Sequence, residues 1–356
     1  MVDQWIFKTL LAPLAALYGV GVAIRNGFYS LGLLRGVSFS IPVISIGNLS
    51  VGGTGKTPHT EYLVRLLHEY LKIGILSRGY SRKSTGYIEV QPVHDALYVG
   101  DEPLQFKRKY PHVHVAVAES RSLAIPQLIR AYPDIQLILL DDGFQHREVN
   151  PGLNILLTEY NRLYTRDWLL PVGRLREWRN AASRADIIVV TKCPEDMGTG
   201  DMMEIRKEVM RDSDQEVFFS RFHYGNPYRM YHGADRIILN EQISVLMVAA
   251  IAGTEYMMEY VETKVADVRL LEYNDHHLFS NFDIGNMELY FKQMPETNQR
   301  IILTTEKDAM RLDTHRELLQ QLNLPIYILP VRVRFLGEEP EMFDRVIKDW
   351  LLNFKR

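Results

Sequence analysis

A glycine-rich stretch carries residue types that could bind phosphate. It consists of Ser50, Val51, Gly52, Gly53, Thr54, Gly55, Lys56 and Thr57. Successive backbone N–H groups of such a loop can point into one concavity, which suits the oxygens of a phosphate chain. The Lys56 ammonium would reach the outer phosphates, and the Thr57 hydroxyl would ligate Mg²⁺. Although Ser50 stands where the usual pattern G-x-x-x-x-G-K-[ST] begins with glycine, the stretch predicts a nucleotide site.

Two adjacent carboxylates follow a run of aliphatic residues. Asp141 and Asp142 come directly after residues 137–140, which read Leu-Ile-Leu-Leu. This composition is typical of a strand that is buried on both faces of a parallel sheet. A carboxylate at the end of such a strand can hold Mg²⁺ directly or through water. Together with the glycine-rich stretch, these residues predict a site for a nucleoside triphosphate and Mg²⁺.

Further charged residues lie where strands are expected to end. Arg78 follows an apolar run at 73–76, and ligands of open α/β sheets bind at that edge, so it could hold a phosphate or form a surface ion pair. Asp101 and Glu102 stand between glycine and proline, which suits either a site or a solvated turn. His276 and His277 end another strand, and no third ligand is spaced nearby for zinc.

Two other segments leave their roles open. Residues 170–179 form a basic, partly apolar loop that could clamp a phosphorylated substrate or cover the sheet. Residues 304–308, Thr-Thr-Glu-Lys-Asp, close a strand and open a helix that Thr305 can cap.

The elements that must position these residues alternate between strands and helices. A strand at 41–46 precedes the glycine-rich stretch, and an amphipathic helix follows it with Tyr62, Leu63, Leu66, Leu67 and Tyr70 on one face. Further strands are expected at 73–76, 113–118, 137–140, 153–157, 187–190, 217–222, 245–251, 268–273, 301–304 and 326–329. The pattern predicts an α/β fold: a P-loop NTPase-type, mostly parallel sheet flanked by helices, with a smaller second α/β domain. Because residues 198–214 are polar and rich in charge, we expect the P-loop core at 37–210 and the second domain at 211–356.

The first 36 residues form a separate apolar region. Residues 9–24 carry no charge and would span roughly 24 Å as a helix, less than the ~30 Å hydrocarbon core of a bilayer. We expect a membrane-associated helix that lies on or dips into the surface, with a core helix and a true span as alternatives. One apolar stripe comprises Leu14, Leu17, Gly21, Ile24, Phe28 and Leu31. Outside it lie Lys8, Arg25 and Arg35 for anionic headgroups, and Trp5, Tyr18 and Tyr29 for the interface.

Composition limits the classes of partner. The chain has 356 residues and a net charge of −3, so a nucleic-acid partner is not expected. The single cysteine, Cys193, excludes an internal disulfide and fits a reducing compartment. A signal peptide is not expected either, because the start lacks a basic segment.

The motifs together resemble one family, the tetraacyldisaccharide 4′-kinases of lipid A biosynthesis. They occur in family order from about residue 40 to residue 312, and the apolar N-terminus is similar as well. The matching segments are Ile46-Gly47-Asn48-Leu49, Gly52-Gly53-Thr54-Gly55-Lys56-Thr57-Pro58, Leu76-Ser77-Arg78-Gly79-Tyr80, Val99-Gly100-Asp101-Glu102-Pro103, Asp141-Asp142-Gly143-Phe144-Gln145-His146, Leu170-Pro171-Val172-Gly173, Leu175-Arg176-Glu177, Asp275-His276-His277 and Thr304-Thr305-Glu306-Lys307-Asp308.

The resemblance implies an activity and roles for residues. It implies transfer of the ATP γ-phosphoryl group to the 4′-hydroxyl of a tetraacylated, 1-phosphorylated disaccharide, giving lipid IVA, at the cytoplasmic face of the inner membrane. It assigns Asp101 and His276 as a base pair on the acceptor hydroxyl. We expect Thr57, Asp141, Asp142 and Glu102 to serve Mg²⁺. The expected contacts to substrate or phosphate are Arg78, Arg121, Arg176 and Glu177.

Two other classes of P-loop protein are alternatives. A membrane-associated regulatory ATPase would have a second lysine in its phosphate loop, at the position that Val51 occupies. A GTPase switch would need an Asn-Lys-x-Asp motif, which residues 190–193, Val-Thr-Lys-Cys, match only in part. Both alternatives predict hydrolysis that a protein partner stimulates, whereas the kinase predicts ADP release that requires a lipid disaccharide and a product that is heavier by one phosphate.

Overall fold

The computed structural model describes residues 2–296 and 299–354, with side chains from residue 9 onward. The side chains of Trp5 and Lys8 therefore lie outside the described residues. The helices are α1 (Val2–Ser30), α2 (Lys56–Leu67), α3 (Ala96–Val99), α4 (Asp101–Lys109), α5 (Arg121–Ala131), α6 (Thr199–Val209), α7 (Glu255–Glu262), α8 (Asn281–Lys292), α9 (Glu306–Leu312), α10 (Arg316–Gln321) and α11 (Glu339–Asn353). The strands are β1 (Val43–Asn48), β2 (Ile73–Ser77), β3 (Ile88–Glu89), β4 (His114–Val117), β5 (Leu137–Asp141), β6 (Leu153–Glu159), β7 (Ile187–Thr191), β8 (Glu216–Tyr224), β9 (Tyr228–Arg229), β10 (His232–Arg236), β11 (Ile243–Ala249), β12 (Asp267–Glu272), β13 (Gln299–Thr305), β14 (Ile326–Leu329) and β15 (Val331–Phe335).

The chain forms two compact units that are interleaved in sequence. The first unit comprises Met1–Arg78, Ala118–Phe222 and Val333–Arg356, and the second comprises Gly79–Val117 and His223–Arg332. This division differs from the boundary predicted at residue 210. The polar segment that suggested that boundary forms α6 within the first unit, because polar composition marks an exposed helix as readily as a linker.

In the first unit, a buried parallel sheet positions the glycine-rich stretch. Strand β1 lies between β5 and β6, and β2 and β7 pair in parallel with β5 and β6 respectively. Every residue of β1 and β5 is buried, as expected for strands covered on both faces. The register places Ile46 of β1 opposite Asp141 of β5, so the glycine-rich stretch and the paired aspartates begin at the same sheet edge. The prediction of an α/β fold with a mostly parallel sheet is confirmed.

The second unit has its own mixed sheet. Strand β11 is central and pairs in parallel with β12 and β13, and β13 pairs in parallel with β14. The short strands β9 and β10 extend the sheet beyond β14 with antiparallel pairings. The carboxyl ends of β11, β12 and β13 therefore meet at one edge, which is where residue 276 and the start of α9 lie.

Helix α1 belongs to the first unit and leaves most of its apolar surface exposed. Leu14, Leu17, Ile24 and Phe28 are between 44% and 70% exposed, so the alternative of a core helix is not supported. Thr9–Ser30 is long and apolar enough to cross a membrane by length and composition alone. Several hydrogen bonds hold the helix; among them, the Tyr18 hydroxyl donates to the Arg176 carbonyl at 2.9 Å, and Trp178 Nε1 donates to the Gly19 carbonyl at 2.8 Å.

Candidate active site

The glycine-rich stretch forms a loop with left-handed backbone at two glycines. Gly52 has φ 109° and Gly55 has φ 89°, and Gly55 caps the start of α2 at Lys56. Other residues rarely adopt these angles, which explains glycine at both positions. Asn48 and Thr191 hold the loop from neighbouring strands: Asn48 Nδ2 donates to Thr54 Oγ1 at 2.8 Å, and the Thr191 hydroxyl donates to the Thr54 carbonyl at 3.0 Å.

A buried histidine braces the same loop. The ring nitrogens of His59 lie 2.7 Å from the Gly55 carbonyl through Nδ1 and 3.0 Å from the Ser220 hydroxyl through Nε2. Burial lowers the pKa of His59 to about 4, so the ring is neutral near pH 7. Because a neutral imidazole has one donor, Nδ1 donates to the carbonyl and Nε2 accepts from Ser220. No sequence pattern indicated His59, because its partner Ser220 lies far along the chain.

The two aspartates after β5 have different surroundings. The Asp141 carboxylate is buried and accepts hydrogen bonds from Ser77 at 3.3 Å and Thr60 at 3.4 Å. Asp142, with a left-handed φ of 50°, faces Lys56 Nζ at 3.7 Å and Arg176 Nη2 at 2.9 Å. Burial alone would raise the pKa of Asp142, but Lys56 and Arg176 lower it well below its ordinary value. Asp142 is therefore ionised beside the cation that the sequence assigns to phosphate.

Arg121 is completely buried, and part of its guanidinium has no partner. Its Nη1 donates to the Glu119 carbonyl at 3.2 Å, whereas Nε and Nη2 have no hydrogen-bond partner. Burial lowers the pKa of Arg121 to about 10 despite the opposing charge of Asp142, so the group stays charged. Buried donors are nearly always satisfied in folded proteins, so these two are open to a polar partner.

The other predicted contacts occupy distinct places in the first unit. Arg176 pairs with Asp142 and also contacts the Asn48 side chain, so it links the aspartate to the end of β1. The Glu177 carboxylate is buried and accepts from Arg184 at 2.8 Å and from Asn26 of α1 at 2.7 Å. Glu177 therefore already has partners within the protein. Arg78 is exposed at the end of β2.

In the second unit, Asp101 and His276 lie together although they are far apart in the chain. His276 Nδ1 is 3.3 Å from Asp101 Oδ2, and Arg311 Nε is 3.4 Å from the same oxygen. Asp101 begins α4 directly after Gly100, whose φ of 93° and close approach to the Gly79 backbone require glycine. Burial alone would raise the pKa of Asp101, but Lys307, His276 and Arg311 lower it to about 2. The pair has the arrangement in which a carboxylate orients an imidazole.

The two adjacent histidines, His276 and His277, have different neighbours. Lys307 Nζ lies 3.2 Å from His276 Nε2 and 3.2 Å from Glu102 Oε1. His277 instead contacts Asp283 at 3.0 Å, within the capping box that begins α8. His276 is therefore the histidine of the site, while His277 stabilises a helix start. The motif around Lys307 is recognisable in the sequence, but its spacing indicates no role for that residue.

A divalent cation would need the nucleotide to complete its ligands. Among residues 2–296 and 299–354, no group of three or more His, Cys, Asp or Glu side chains could hold a metal ion. Mg²⁺ is usually bound through one or two carboxylates together with substrate phosphates and water. The ionised Asp142 beside Lys56, with Asp141 and Thr57 on adjoining elements, fits that mode. Glu102 lies in the second unit, paired with Lys307.

Comparison with known proteins shows that the chain is similar to proteins of one family over nearly its full length. The family model for tetraacyldisaccharide-1-P 4′-kinase matches residues 7–351. A tetraacyldisaccharide 4′-kinase of Phocaeicola vulgatus is 39% identical over 360 residues, covering 100% of this chain and 97% of the relative. One of Bacteroides thetaiotaomicron is 42% identical over 357 residues, covering 97% and 92%. The crystal structure of LpxK from Aquifex aeolicus in complex with ATP is 28% identical, with a TM-score of 0.73 over 97% of this chain and 99% of that one.

Proposed function

Because the chain belongs to the tetraacyldisaccharide-1-P 4′-kinase family and is a kinase of that lipid disaccharide, we propose that it uses ATP and Mg²⁺ and that the two described sites divide the reaction between them. The observation that carries this proposal is the phosphate loop, in which Gly55 leads directly into Lys56 with Asp142 at 3.7 Å. The similar Aquifex structure, which was solved with ATP, supports the choice of nucleotide.

The first unit binds the donor. The backbone of residues 50–55 and the Lys56 ammonium surround the phosphates, and Arg121 supplies its two free donors to a phosphate oxygen. Thr57 and the carboxylates of Asp141 and Asp142 would hold Mg²⁺, which would neutralise charge on the transferring group. Since phosphoryl transfer has a loose transition state, positioning and charge neutralisation provide most of the catalysis. Arg176 fixes Asp142, and Arg78 is a further candidate for phosphate.

The second unit activates the acceptor. The acceptor hydroxyl gives its proton to His276 as its oxygen forms a bond to the γ-phosphorus and the bond to the leaving ADP breaks. Asp101 balances the charge of the imidazolium that results. Asp101 is buried, whereas His276 is 20% exposed, so the imidazole is the group that a substrate hydroxyl reaches.

The exposed apolar face of α1 supports a position at the membrane. A tetraacylated acceptor stays in the bilayer, so an enzyme that acts on its headgroup must work at the interface. We assign α1 as the attachment to the cytoplasmic face of the inner membrane, where ATP is available, as a peripheral or monotopic helix.

The direct test is to incubate the full-length protein with ATP, Mg²⁺ and detergent-dispersed tetraacyldisaccharide 1-phosphate, and to record the mass of the lipid. We expect a product that is heavier by one phosphate, and ADP release that depends on the acceptor. Lys56→Ala is the control for background phosphorylation. Nucleotide hydrolysis at the same rate without the lipid, and an unchanged lipid mass, would instead favour the regulatory ATPase or GTPase switch.

A further inference from the structure

The Thr-Thr-Glu-Lys-Asp motif builds the start of α9 at the same sheet edge as His276. Thr305 caps the helix, because its side-chain oxygen accepts the Asp308 N–H at 3.0 Å. Helical geometry from Glu306 onward brings Lys307 and Arg311 to one face, four residues apart. Both side chains approach the Asp101–His276 pair, Arg311 at the carboxylate and Lys307 at the imidazole.

A buried ion pair fixes this helix in place. Arg311 Nη2 donates to Asp308 Oδ1 at 2.5 Å and to the Ala250 carbonyl at 2.9 Å, and Arg311 Nη1 donates to the His277 carbonyl at 3.3 Å. Asp308 in turn accepts the Ala250 N–H at 3.2 Å. These bonds tie α9 to the end of β11 and to the turn that carries His276. The position of Lys307 relative to the imidazole is therefore set by the fold.

The two contacts of His276 fix which ring nitrogen carries the proton. Glu102 and Asp101 raise the pKa of Lys307 above its ordinary value against the opposing effect of burial, so its ammonium is charged and can only donate. Ionised Asp101 can only accept. The imidazole between them can only accept at Nε2 from Lys307, which leaves its proton on Nδ1, 3.3 Å from the Asp101 carboxylate. The Asp275 carboxylate also faces Nε2, but at 3.9 Å it is beyond hydrogen-bond distance.

We propose that Lys307 is a positioning residue that presets His276 as the Nδ1–H tautomer and covers its basic nitrogen until the acceptor arrives. The inference rests on the proposed role of the Asp101–His276 pair as proton acceptor. The acceptor hydroxyl replaces Lys307 as the donor to Nε2, while Lys307 keeps its ion pair with Glu102. The hydroxyl O–H bond then breaks and the Nε2–H bond forms, while Nδ1–H still faces the Asp101 carboxylate.

Nitrogen NMR of the full-length protein in detergent micelles tests the tautomer without any assay of activity. ¹⁵N-histidine labelling and multiple-bond ¹H–¹⁵N correlation distinguish a protonated Nδ1 from a protonated Nε2, and His276→Gln identifies the signal. In the wild type we expect protonated Nδ1 and unprotonated Nε2. In Lys307→Met, which keeps an unbranched side chain but removes the ammonium, we expect this preference to be lost, and Lys307→Arg should retain it.

Kinetics on the same variants test the consequence for turnover. General-base assistance is typically worth ~10²–10⁴-fold, so Lys307→Met should lower kcat by about tenfold or more, with KM for ATP unchanged. Lys307→Arg should recover part of the loss. Lys292→Met removes an exposed lysine of the same unit and is the matched control.

The wild-type spectrum can contradict the proposal even if Lys307→Met fails to fold. A protonated Nε2 in the wild type would overturn it, and so would a Lys307→Met variant with the wild-type tautomer and wild-type kcat. Failure of the wild type to phosphorylate the lipid would instead contradict the proposed function, so the two failures are distinguishable.

Discussion

At the scale of single residues, the unsatisfied guanidinium of Arg121 is expected to have opposite effects on ligand binding and on the stability of the free protein. A buried charge whose donors have no partners costs free energy in the folded state, because the donors lose water without replacement. A phosphate oxygen at Nε and Nη2 would remove that cost when nucleotide binds. Arg121 is therefore expected to improve ligand binding at the expense of the stability of the free protein.

Replacing Arg121 with methionine tests this expectation. A hydrogen bond to a charged group is worth about 1.5–3 kcal/mol, so kcat/KM for ATP should fall roughly 10- to 150-fold. The Tm of the nucleotide-free protein should stay the same or rise. Arg130→Met, at an exposed position of the same helix, is the control for the change of residue type. A large fall in Tm with unchanged kcat/KM would show that Arg121 is structural.

Sequence patterns indicated the site residues whose types, directly after a predicted strand, are typical of a nucleotide site. The phosphate loop and Asp142 follow buried strands, so their meeting at one sheet edge was predictable. His59 and Lys307 were not assigned because their partners, Ser220 for one and Glu102 and His276 for the other, come from distant segments. Spacing within one segment contains no signal for such contacts.

At the scale of elements, helix α1 has an attachment that its apolar composition did not reveal. Trp178 packs against Gly19, where an added Cβ would lie 2.5 Å from Trp178 Cζ2, so glycine is required for the close approach. The hydrogen bond from Asn26 Nδ2 to the Glu177 carboxylate adds a polar contact to the same helix. The periodicity predicted the exposed stripe, but the residues that dock α1 lie more than a hundred positions away.

Two substitutions on the exposed face of α1 test membrane attachment. Burial of a large apolar side chain is worth about 1.5–3 kcal/mol, so Leu17→Asp combined with Ile24→Asp should reduce the membrane-bound fraction more than tenfold. Deletion of residues 1–34 should release the protein into the soluble fraction. Sedimentation with vesicles of inner-membrane composition measures both, and Leu123→Asp, at an exposed leucine of α5, is the control. If the truncated protein still sedimented with vesicles, another surface would be responsible.

At the scale of the whole molecule, the units interleave in a way that local composition could not indicate. Residues Gly79–Val117 leave the first unit to join the second, and Val333–Arg356 return to the first after the second is complete. The predicted strands at 217–222 and 245–251 exist as β8 and β11, yet β8 up to Phe222 belongs to the first unit. Element type follows from periodicity, whereas unit membership depends on which strands pair.

A buried histidine and a half-buried histidine of the first unit predict that stability falls in mild acid. Burial lowers the pKa of both His59 and His146 to about 4, below the ordinary 6.5 of the unfolded chain. Between these values the unfolded state binds more protons, so the free energy of unfolding decreases as pH falls from about 6.5 to about 4. Each histidine contributes about 1.4 kcal/mol per pH unit at most.

A series of Tm measurements across this range checks the expectation. His59→Asn can still donate to the Gly55 carbonyl but does not titrate, so its Tm should depend less steeply on pH than that of the wild type. Equal slopes for the two proteins would show that His59 is not a source of the acid sensitivity.

The central claim is that the first unit binds ATP and the second unit activates the acceptor. The most direct test measures ATP binding and lipid phosphorylation in two variants, His276→Ala and Lys56→Ala. We expect His276→Ala to bind ATP with wild-type affinity while kcat falls by ~10²–10⁴-fold, because it lacks only the proton acceptor. Lys56→Ala should lose ATP affinity as well as turnover. A His276→Ala variant that phosphorylates the disaccharide at the wild-type rate would contradict the assignment of the reaction's two halves.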